Sequence, residues 1–331
     1  MKYYSVVIPV FNEAESLPQL LEELKTVAAA NDHDSEIIFV DDGSTDESWQ
    51  VIENLSAEQE NVQGIRLRRN FGKAAALSAG FEVAAGQFVF TMDADLQDDP
   101  KEIPKFLEKM EQENVDVVSG WKKVRHDPIH KTFPSKIFNG LVGILTGVKL
   151  HDHNCGFKCY RREVIEEIDL YGEMHRFVPV LANAKGFAVD ELVVDHRKRQ
   201  HGVSKYGFKR FFKGFLDLLT VYFLTGYRQR PQHLLGTMGM GSFVLGLTGL
   251  TYLAVYWLVR VYGEYPGMEP LHQRPLLIYS LGALLLGAQL MSIGFIAELI
   301  TAYSRRDMKP YSIKQSTGNK IEHQERSSGS E

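Results

Sequence analysis

The sequence is poor in cysteine, with Cys155 and Cys159 the only two in 331 residues. A disulfide-stapled scaffold is therefore excluded, and we expect both cysteines to be free thiols in a reducing compartment. Hydrophobic residues make up 44% and charged residues 24%, so wholesale disorder and collagen-like repeats are excluded as well. The first ten residues hold one charge, Lys2, and are typical of a strand, so we expect no signal peptide.

Charge is absent from two long stretches near the carboxyl end. No Asp, Glu, Lys or Arg occurs in residues 234–259 or in residues 275–297. As α-helices these stretches would be roughly 39 and 35 Å long, more than the ~30 Å hydrocarbon core of a bilayer. We therefore predict two transmembrane helices, at about 234–259 and 275–300. Buried core helices are the alternative, but uncharged runs of this length are rare in soluble domains.

Basic residues flank this hairpin on both sides. They precede the first span and follow the second: Lys205, Lys209, Arg210, Lys213, Arg228, Arg230, Arg305, Arg306 and Lys309. The positive-inside rule then places both chain ends and the domain of residues 1–232 in the cytosol, in a multi-pass protein of the inner (plasma) membrane. Residues 233–303 would form the membrane hairpin, and residues 304–331 a cytosolic tail with a disordered end. Small residues such as Ala283 and Gly287 would permit a homo-oligomer.

Strands alternate with helices over the first 120 residues. Apolar runs at 4–10, 36–40, 62–67, 88–92 and 115–119 predict strands, and helical spacing between them predicts helices. This pattern indicates an α/β fold in which helices cover both faces of a parallel sheet. In such sheets, ligands bind at the carboxyl ends of the strands.

Acidic side chains follow three of these five strands. They are Glu13, Asp41, Asp42, Asp93 and Asp95. Residues 1–120 hold 24 acidic and 9 basic side chains, whereas residues 121–233 hold 11 acidic and 20 basic ones. The acidic front suits a cation or a metal-bound ligand, and the basic middle suits an anion. The Asp93-Ala94-Asp95 run, with Gln97 two residues on, offers the oxygen ligands that Mg²⁺ or Mn²⁺ needs on a diphosphate.

Four segments resemble successive motifs of the family 2 glycosyltransferases of the GT-A fold: IPVFNE (8–13), VDDGSTD (40–46), NFGKAAALSAG (70–80) and MDADLQDDP (92–100). Within that family the sequence is most similar to the polyprenyl-phosphate glycosyltransferases, which include the dolichol-phosphate mannosyltransferases and the bacterial GtrB and ArnC types. The similarity continues through HNCGFKCYRREV, RQHGVSKY and the two spans. It implies a Rossmann-like GT-A catalytic domain followed by two transmembrane helices.

The resemblance also implies a donor site for a nucleotide sugar. Its nucleotide-sugar-binding residues would be Pro9, Phe11, Glu13, Asp41, Asp42, Lys73, Asp93 and Ala94. Asp95 and Gln97 would ligate the metal, and Asp152 matches a family position near the reaction centre. Asp93, Asp95 and Asp152 are therefore the catalytic candidates. For Lys73, a solvated cation at a helix start is an equal alternative.

The basic middle of the chain suits an acceptor phosphate. A lipid phosphate needs cationic donors close to the membrane plane, and an interfacial helix near 132–146 would lie on the bilayer. The candidate acceptor-phosphate residues are Lys122, Arg125, Lys136, Arg199, Ser204 and Lys205.

The resemblance therefore predicts inverting, metal-dependent transfer of one sugar to a polyprenyl phosphate. We favour UDP-glucose as donor, ahead of GDP-mannose and UDP-aminoarabinose, and undecaprenyl phosphate as acceptor. The product would be a lipid-linked monosaccharide for modification of cell-envelope glycans. A phosphate monoester is mostly dianionic at neutral pH, so its oxygen is already a nucleophile and no general base is required.

Other functions are less well matched. A silent nucleotide-sugar-binding scaffold would not need metal and acceptor-phosphate groups together. A processive polysaccharide synthase normally carries a QxxRW motif, which this sequence lacks, and more membrane helices. A nucleic-acid binder is disfavoured because the basic residues are membrane-proximal and lack a stacking platform. The HxHxCxxxC run at 151–159 fits no common structural zinc pattern.

Overall fold

A computed structural model describes residues 2–123, 129–168, 170, 174–197, 217–218, 220–222, 225, 231–263, 267 and 269–304. Its strands form one sheet in the order β3-β2-β1-β4-β6-β5-β7. They are β1 (Tyr4–Val10), β2 (Ser35–Asp41), β3 (Val62–Arg66), β4 (Phe88–Thr91), β5 (Val117–Trp121), β6 (Lys158–Arg161) and β7 (Val189–Val193). The five strands predicted in the first 120 residues are therefore confirmed, with small shifts of their ends.

The sheet is mixed, although the five strands predicted in the first 120 residues all run in the same direction, as expected. Strands β1 to β4 pair in parallel, and β5 pairs in parallel with β7. Among the described strands, β6 alone is reversed, and it pairs antiparallel with both β4 and β5. The parallel strands end at one side of the sheet, which we call its carboxyl edge. The chain leaves β5 at this edge and enters β6 from the same edge, so β6 runs antiparallel to its neighbours. Residues 147–157, which precede β6, are thereby held at the carboxyl edge.

Helices cover both faces of the sheet, as predicted. They are α1 (Leu17–Ala30), α2 (Ser48–Glu58), α3 (Lys73–Val83), α4 (Ile103–Gln112), α5 (Ile129–Thr146), α6 (Arg162–Glu167) and α7 (Val178–Ala184). Successive residues of a strand point to opposite faces, and β1 shows this directly. Val6 packs in a first apolar cluster with Leu20 of α1 and Phe106 of α4, whereas Val7 packs in a second cluster with Ala76 of α3.

Helix α5 contains the segment predicted to lie on the bilayer. Phe138 and Val142 face inward, where they pack in a third apolar cluster with Phe177 and Val180. Ile144 is 81% exposed. The described part of the helix thus has an inner apolar face fixed by the protein and one large apolar side chain facing out. Contact with a bilayer stays a prediction.

The two uncharged stretches form the long helices α8 (Pro231–Tyr262) and α9 (Pro275–Ser304). Residues Gln232–Tyr262 and Pro275–Ile300 are long and apolar enough to cross a membrane, and only 11% of each is buried in the protein. The two helices pack closely at glycines: a Cβ built at Gly246 would lie 2.4 Å from the backbone nitrogen of Leu284. Ser242 Oγ also donates a hydrogen bond of 2.8 Å to the Ala283 carbonyl.

Candidate active site

The site lies where loops leave the carboxyl ends of β1, β2 and β4, and hydrogen bonds join the first two loops. The backbone N–H of Asn12 donates to Ser44 Oγ at 2.9 Å, and the backbone N–H of Thr45 donates to Asn12 Oδ1 at 2.8 Å. The Glu13 amide donates to Ser48 Oγ at 3.0 Å. Asn12 adopts a positive φ of 56°, which Asn tolerates better than most residues. The predicted donor-site residues Pro9, Phe11 and Glu13 are half-buried in this region.

Asp41 and Asp42, which look equivalent in the sequence, occupy different environments. Asp41 is fully buried, accepts a 3.0 Å hydrogen bond from the Ser44 amide and pairs with Arg66 at 3.3 Å. Its carboxylate therefore supports the loop from inside and does not line an open pocket. Asp42 accepts hydrogen bonds from the amides of Phe71 and Gly72, at 2.7 and 2.9 Å.

The Asp42 hydrogen bonds join the end of β2 to the start of α3. Gly72 precedes that helix with a φ of 96°, a conformation that glycine adopts without strain. Burial raises the pKa of the Asp42 carboxyl, against the opposing effect of the two amide donors. Contact of Asp42 with a nucleotide stays a prediction, since its oxygens already hold the loop.

Burial alternates along the turn that follows β4. Asp93, Asp95 and Gln97 are half-buried, whereas Ala94 and Leu96 are buried. Ala94 can thus contact a donor only through its backbone. The backbone N–H of Gln97 donates a 3.2 Å hydrogen bond to Asp95 Oδ1, which keeps these two predicted metal ligands together.

This arrangement fits a divalent cation. Mg²⁺ commonly takes one or two protein carboxylates and completes its shell with water and substrate phosphate oxygens. Asp95 provides a carboxylate and Gln97 a side-chain carbonyl, and both residues are half-buried. Within the described residues, no three His, Cys, Asp or Glu side chains stand together as a metal cluster. The residues present therefore suit a metal that arrives with a diphosphate.

Asp93 is held from two sides. Lys73, at the start of α3, forms an ion pair with its carboxylate. On the other side lies Gly156, where an added Cβ would stand 2.5 Å from Asp93 Oδ2. Burial favours a raised pKa of the Asp93 carboxyl, but Lys73, Lys122 and His175 overcome that effect and hold the pKa well below its usual range. Asp93 is therefore an anion fixed at the site, and Lys73 belongs to the site.

Lys122, predicted to bind the acceptor phosphate, lies inside the site's supporting structure. Its ammonium is 2.7 Å from Asp98 Oδ1, and the two side chains are 14% and 0% exposed. Asp98 accordingly raises the pKa of the Lys122 ammonium against the effect of burial. The pair braces the segment after β4, and a role in phosphate binding stays a prediction. Arg125, Arg199, Ser204, Lys205 and the side chain of Lys136 lie outside the described residues.

Three basic residues near Asp93 were missed in the sequence. Lys158 opens β6, is 3% exposed and donates a hydrogen bond to the Cys155 carbonyl. Burial lowers the pKa of its ammonium to about 8. His175 and Arg176 form a short 3₁₀ turn. Burial, with Lys73 and Arg176, lowers the pKa of His175 well below its usual value. The available signal was a lysine inside the otherwise apolar GFKCY run.

The segment before β6 contains Asp152 and the residues of the zinc alternative. Asp152 is buried, and its Oδ1 accepts a 3.2 Å hydrogen bond from the Asn154 amide. Cys155 and Cys159 are buried free thiols. Burial raises the pKa of the Cys155 thiol to about 12, so this sulfur is a poor metal ligand or nucleophile.

A solved structure shares this fold. It is glucosyl-3-phosphoglycerate synthase from Mycobacterium tuberculosis, in complex with Mn²⁺, uridine diphosphate and phosphoglyceric acid. The TM-score is 0.53 at 15% sequence identity, with 68% of this chain and 78% of that chain covered. The mixed sheet and its covering helices are therefore those of the GT-A fold.

Comparisons of sequence lead to a family. The model for glycosyl transferase family 2 matches residues 5–169. A dodecaprenyl-phosphate galacturonate synthase of Rhizobium johnstonii is 38% identical over 94% of this chain and 92% of its own length. An undecaprenyl-phosphate 4-deoxy-4-formamido-L-arabinose transferase of Shewanella sediminis is 36% identical over 90% and 87%. The chain therefore belongs to the family 2 glycosyltransferases, as the sequence motifs predicted.

Proposed function

We propose that this enzyme transfers one sugar from a nucleotide sugar to a polyprenyl phosphate, most simply undecaprenyl phosphate, at the cytosolic face of the membrane. The observation that carries the proposal is the series of Asp93, Asp95 and Gln97 at the carboxyl edge of the sheet, in a chain that continues into two candidate membrane spans. The near full-length similarity to two polyprenyl-phosphate sugar transferases supports the acceptor class.

The proposed reaction is a direct displacement with inversion at the anomeric carbon. The dianionic phosphate of the acceptor attacks without a general base. Asp93, fixed between Lys73 and Gly156, would accept hydrogen bonds from hydroxyls of the donor. Asp95 and Gln97 would hold Mg²⁺ or Mn²⁺, which stabilises the departing diphosphate when bound. Asp152 would orient the sugar or the acceptor.

For the donor, a uronic acid nucleotide is our first choice. The galacturonate synthase is similar over nearly its whole length. UDP-glucose, the expectation from the sequence, is the second choice, and a 4-formamido pentose donor is the third.

A donor panel tests this function. Detergent-purified protein is incubated with undecaprenyl phosphate, Mg²⁺ or Mn²⁺, and radiolabelled UDP-galacturonate, UDP-glucose, UDP-4-deoxy-4-formamido-arabinose or GDP-mannose. We expect label in the lipid fraction from one donor, in a single-sugar product, and loss of activity with chelator. Asp95→Asn, which keeps the size of the side chain, should lower kcat by at least ~10²-fold, as expected for losing electrostatic stabilisation of the leaving group.

The other outcomes separate the alternatives. The protein could bind a donor but neither transfer sugar to any lipid nor release nucleoside diphosphate. That result would support the silent scaffold and contradict the proposal. A growing polymer in place of a single-sugar product would identify a processive synthase. Wild-type activity in Asp95→Asn would contradict the proposed role of Asp95 as a metal ligand.

A further inference from the structure

Lys158 is a buried lysine in an apolar layer. In the sheet it pairs with Thr91 of β4 and with Ser119 of β5, which are both buried. Two residues along the same strand, Tyr160 and its partner Val89 belong to the second apolar cluster, between the sheet and α3. Residues two apart on a strand share a face, so the lysine side chain enters this same layer at the edge where the site lies.

This position is unfavourable for stability. Removing an ammonium from water costs free energy, and burial lowers the pKa of Lys158 to about 8 for that reason. The cost is offset by what the ammonium contacts, because the buried Asp152 carboxylate would otherwise lose a cationic neighbour.

The ammonium holds the segment that closes one side of the site. Lys158 Nζ donates to the Cys155 carbonyl, and the next residue, Gly156, lies against the Asp93 carboxylate. Thr91 Oγ1 donates to the Gly156 carbonyl at 2.8 Å and fastens the same segment to β4. Asp93 and Asp152 are the carboxylates in electrostatic contact with the Lys158 ammonium.

The contacts that hold the rest of the donor site are elsewhere. Asp42 is bound by the amides of Phe71 and Gly72, and Asp95 by the amide of Gln97. Losing the Lys158 ammonium would thus leave the contacts of the predicted nucleotide and metal groups in place. It would loosen residues 152–157, which carry Asp152 and face Asp93.

We propose that Lys158 is a positioning residue for sugar transfer, an inference that rests on the proposed function. Its ammonium anchors residues 152–157 through the Cys155 carbonyl and so fixes Asp93 and Asp152 against the reacting sugar. Lys158 itself is too deeply buried to touch the substrate. A displacement of about 1 Å in a positioning element can cost on the order of 10²-fold in rate. The effect should therefore fall on kcat and spare donor binding.

The test is Lys158→Met, with steady-state kinetics and thermal melting in the same detergent. We expect kcat to fall by about 10²-fold and the donor KM to stay within about threefold of wild type. The melting temperature should fall, because the buried Asp152 carboxylate loses a cationic neighbour. Lys185→Met is the matched control. Lys185 also donates to a main-chain carbonyl, that of Glu167, but lies ahead of β7 at the opposite edge of the sheet. It should keep the wild-type kcat.

Two results would overturn the inference. One is a Lys158→Met protein that folds and has a kcat within about threefold of wild type. The other is a parallel loss of melting temperature and of donor binding, which would make the lysine merely structural. Should Lys158→Met not fold, Lys158→Leu, which also lacks an N–H donor, is judged by the same kcat and KM criteria. Wild-type protein that transfers no sugar would instead refute the proposed function.

Discussion

Aspartates at the carboxyl edge of the sheet differ in burial and in partners. Asp41 and Asp98 are buried and pair with Arg66 and Lys122, so they support loops. Asp93 and Asp95 lie half-buried in the segment after β4. The role of each carboxylate thus follows from what surrounds it, since all are the same chemical group. The substitutions that test the site are accordingly best made at Asp95 and at the residues that position Asp93.

His153 makes folding sensitive to acid. It is fully buried, and burial, with the nearby Lys158, lowers its pKa to about 4. Between pH 6.5 and 4 the unfolded chain binds a proton at this histidine that the folded protein does not. The free energy of unfolding therefore decreases as the pH falls through this window. Above pH 6.5 this histidine has no effect on the free energy of unfolding. At one pKa unit per ~1.4 kcal/mol, the loss between pH 7 and pH 5 is about 2 kcal/mol.

Thermal melting at pH 7 and pH 5 measures this effect. His153→Gln lacks the titrating group, so its melting temperature should fall less than that of wild type on acidification. His272→Gln, at an exposed position, is the control and should behave as wild type does. An equal fall in wild type and His153→Gln would show that His153 does not titrate in this window.

Among the elements, the helices α8 and α9 depend on glycines where they meet. At Gly246 a Cβ would lie 2.6 Å from the Ser280 carbonyl oxygen and 2.8 Å from Leu284 Cα, both in the facing backbone. Gly246→Ala must therefore push the helices apart. Overpacking of this kind typically costs ~1–3 kcal/mol, so we expect a lower melting temperature in detergent.

Gly241 provides a matched control on the same helix. A Cβ there meets nothing within 4 Å, and alanine is the better helix former by ~1 kcal/mol. Gly241→Ala should therefore melt at or above the wild-type temperature. Equal melting of the two variants would mean that the close approach at Gly246 does not contribute to stability.

At the scale of the whole molecule, the proposed arrangement is a cytosolic domain (residues 1–232), a membrane hairpin (233–303) and a cytosolic tail (304–331). The candidate spans are mostly uncovered, with large exposed apolar side chains such as Leu245, Ile278 and Phe295. Lipid tails would cover these apolar surfaces, and a second copy of this chain would cover part of them. The basic residues flanking the spans favour cytosolic chain ends.

Cysteine labelling in intact cells tests this topology. The two natural cysteines are buried, so an introduced cysteine gives a readable signal. Gly267→Cys, between the candidate spans, should react with a membrane-impermeant maleimide in intact cells. Glu53→Cys, exposed on α2, should react only after lysis. Labelling of Glu53→Cys in intact cells would place the catalytic domain outside and contradict the proposal.

Much of this protein was readable in the sequence because the informative patterns are local. Alternation of apolar runs located β1 to β5, the absence of charge located α8 and α9, and the motifs identified the family and the acidic segment after β4. The metal ligands, the acceptor-phosphate residues and the topology remain predictions. The different burial of Asp41 and Asp42 was not readable, because neighbouring residues of one motif give no local sign of which carboxylate has which partners.

What only the tertiary structure decided depends on contacts between distant parts of the chain. The reversal of β6 is visible only in its antiparallel pairing with β4 and β5, which lie far from each other in the sequence. That reversal places Gly156 against Asp93, and buries Lys158 between two strands. The sequence determined the local elements, their family and the acidic groups through short-range pattern and chemistry. The pairing, burial and charge state of those groups were decided by the tertiary structure, because they depend on neighbours far away in the sequence, as His175 is from Asp93.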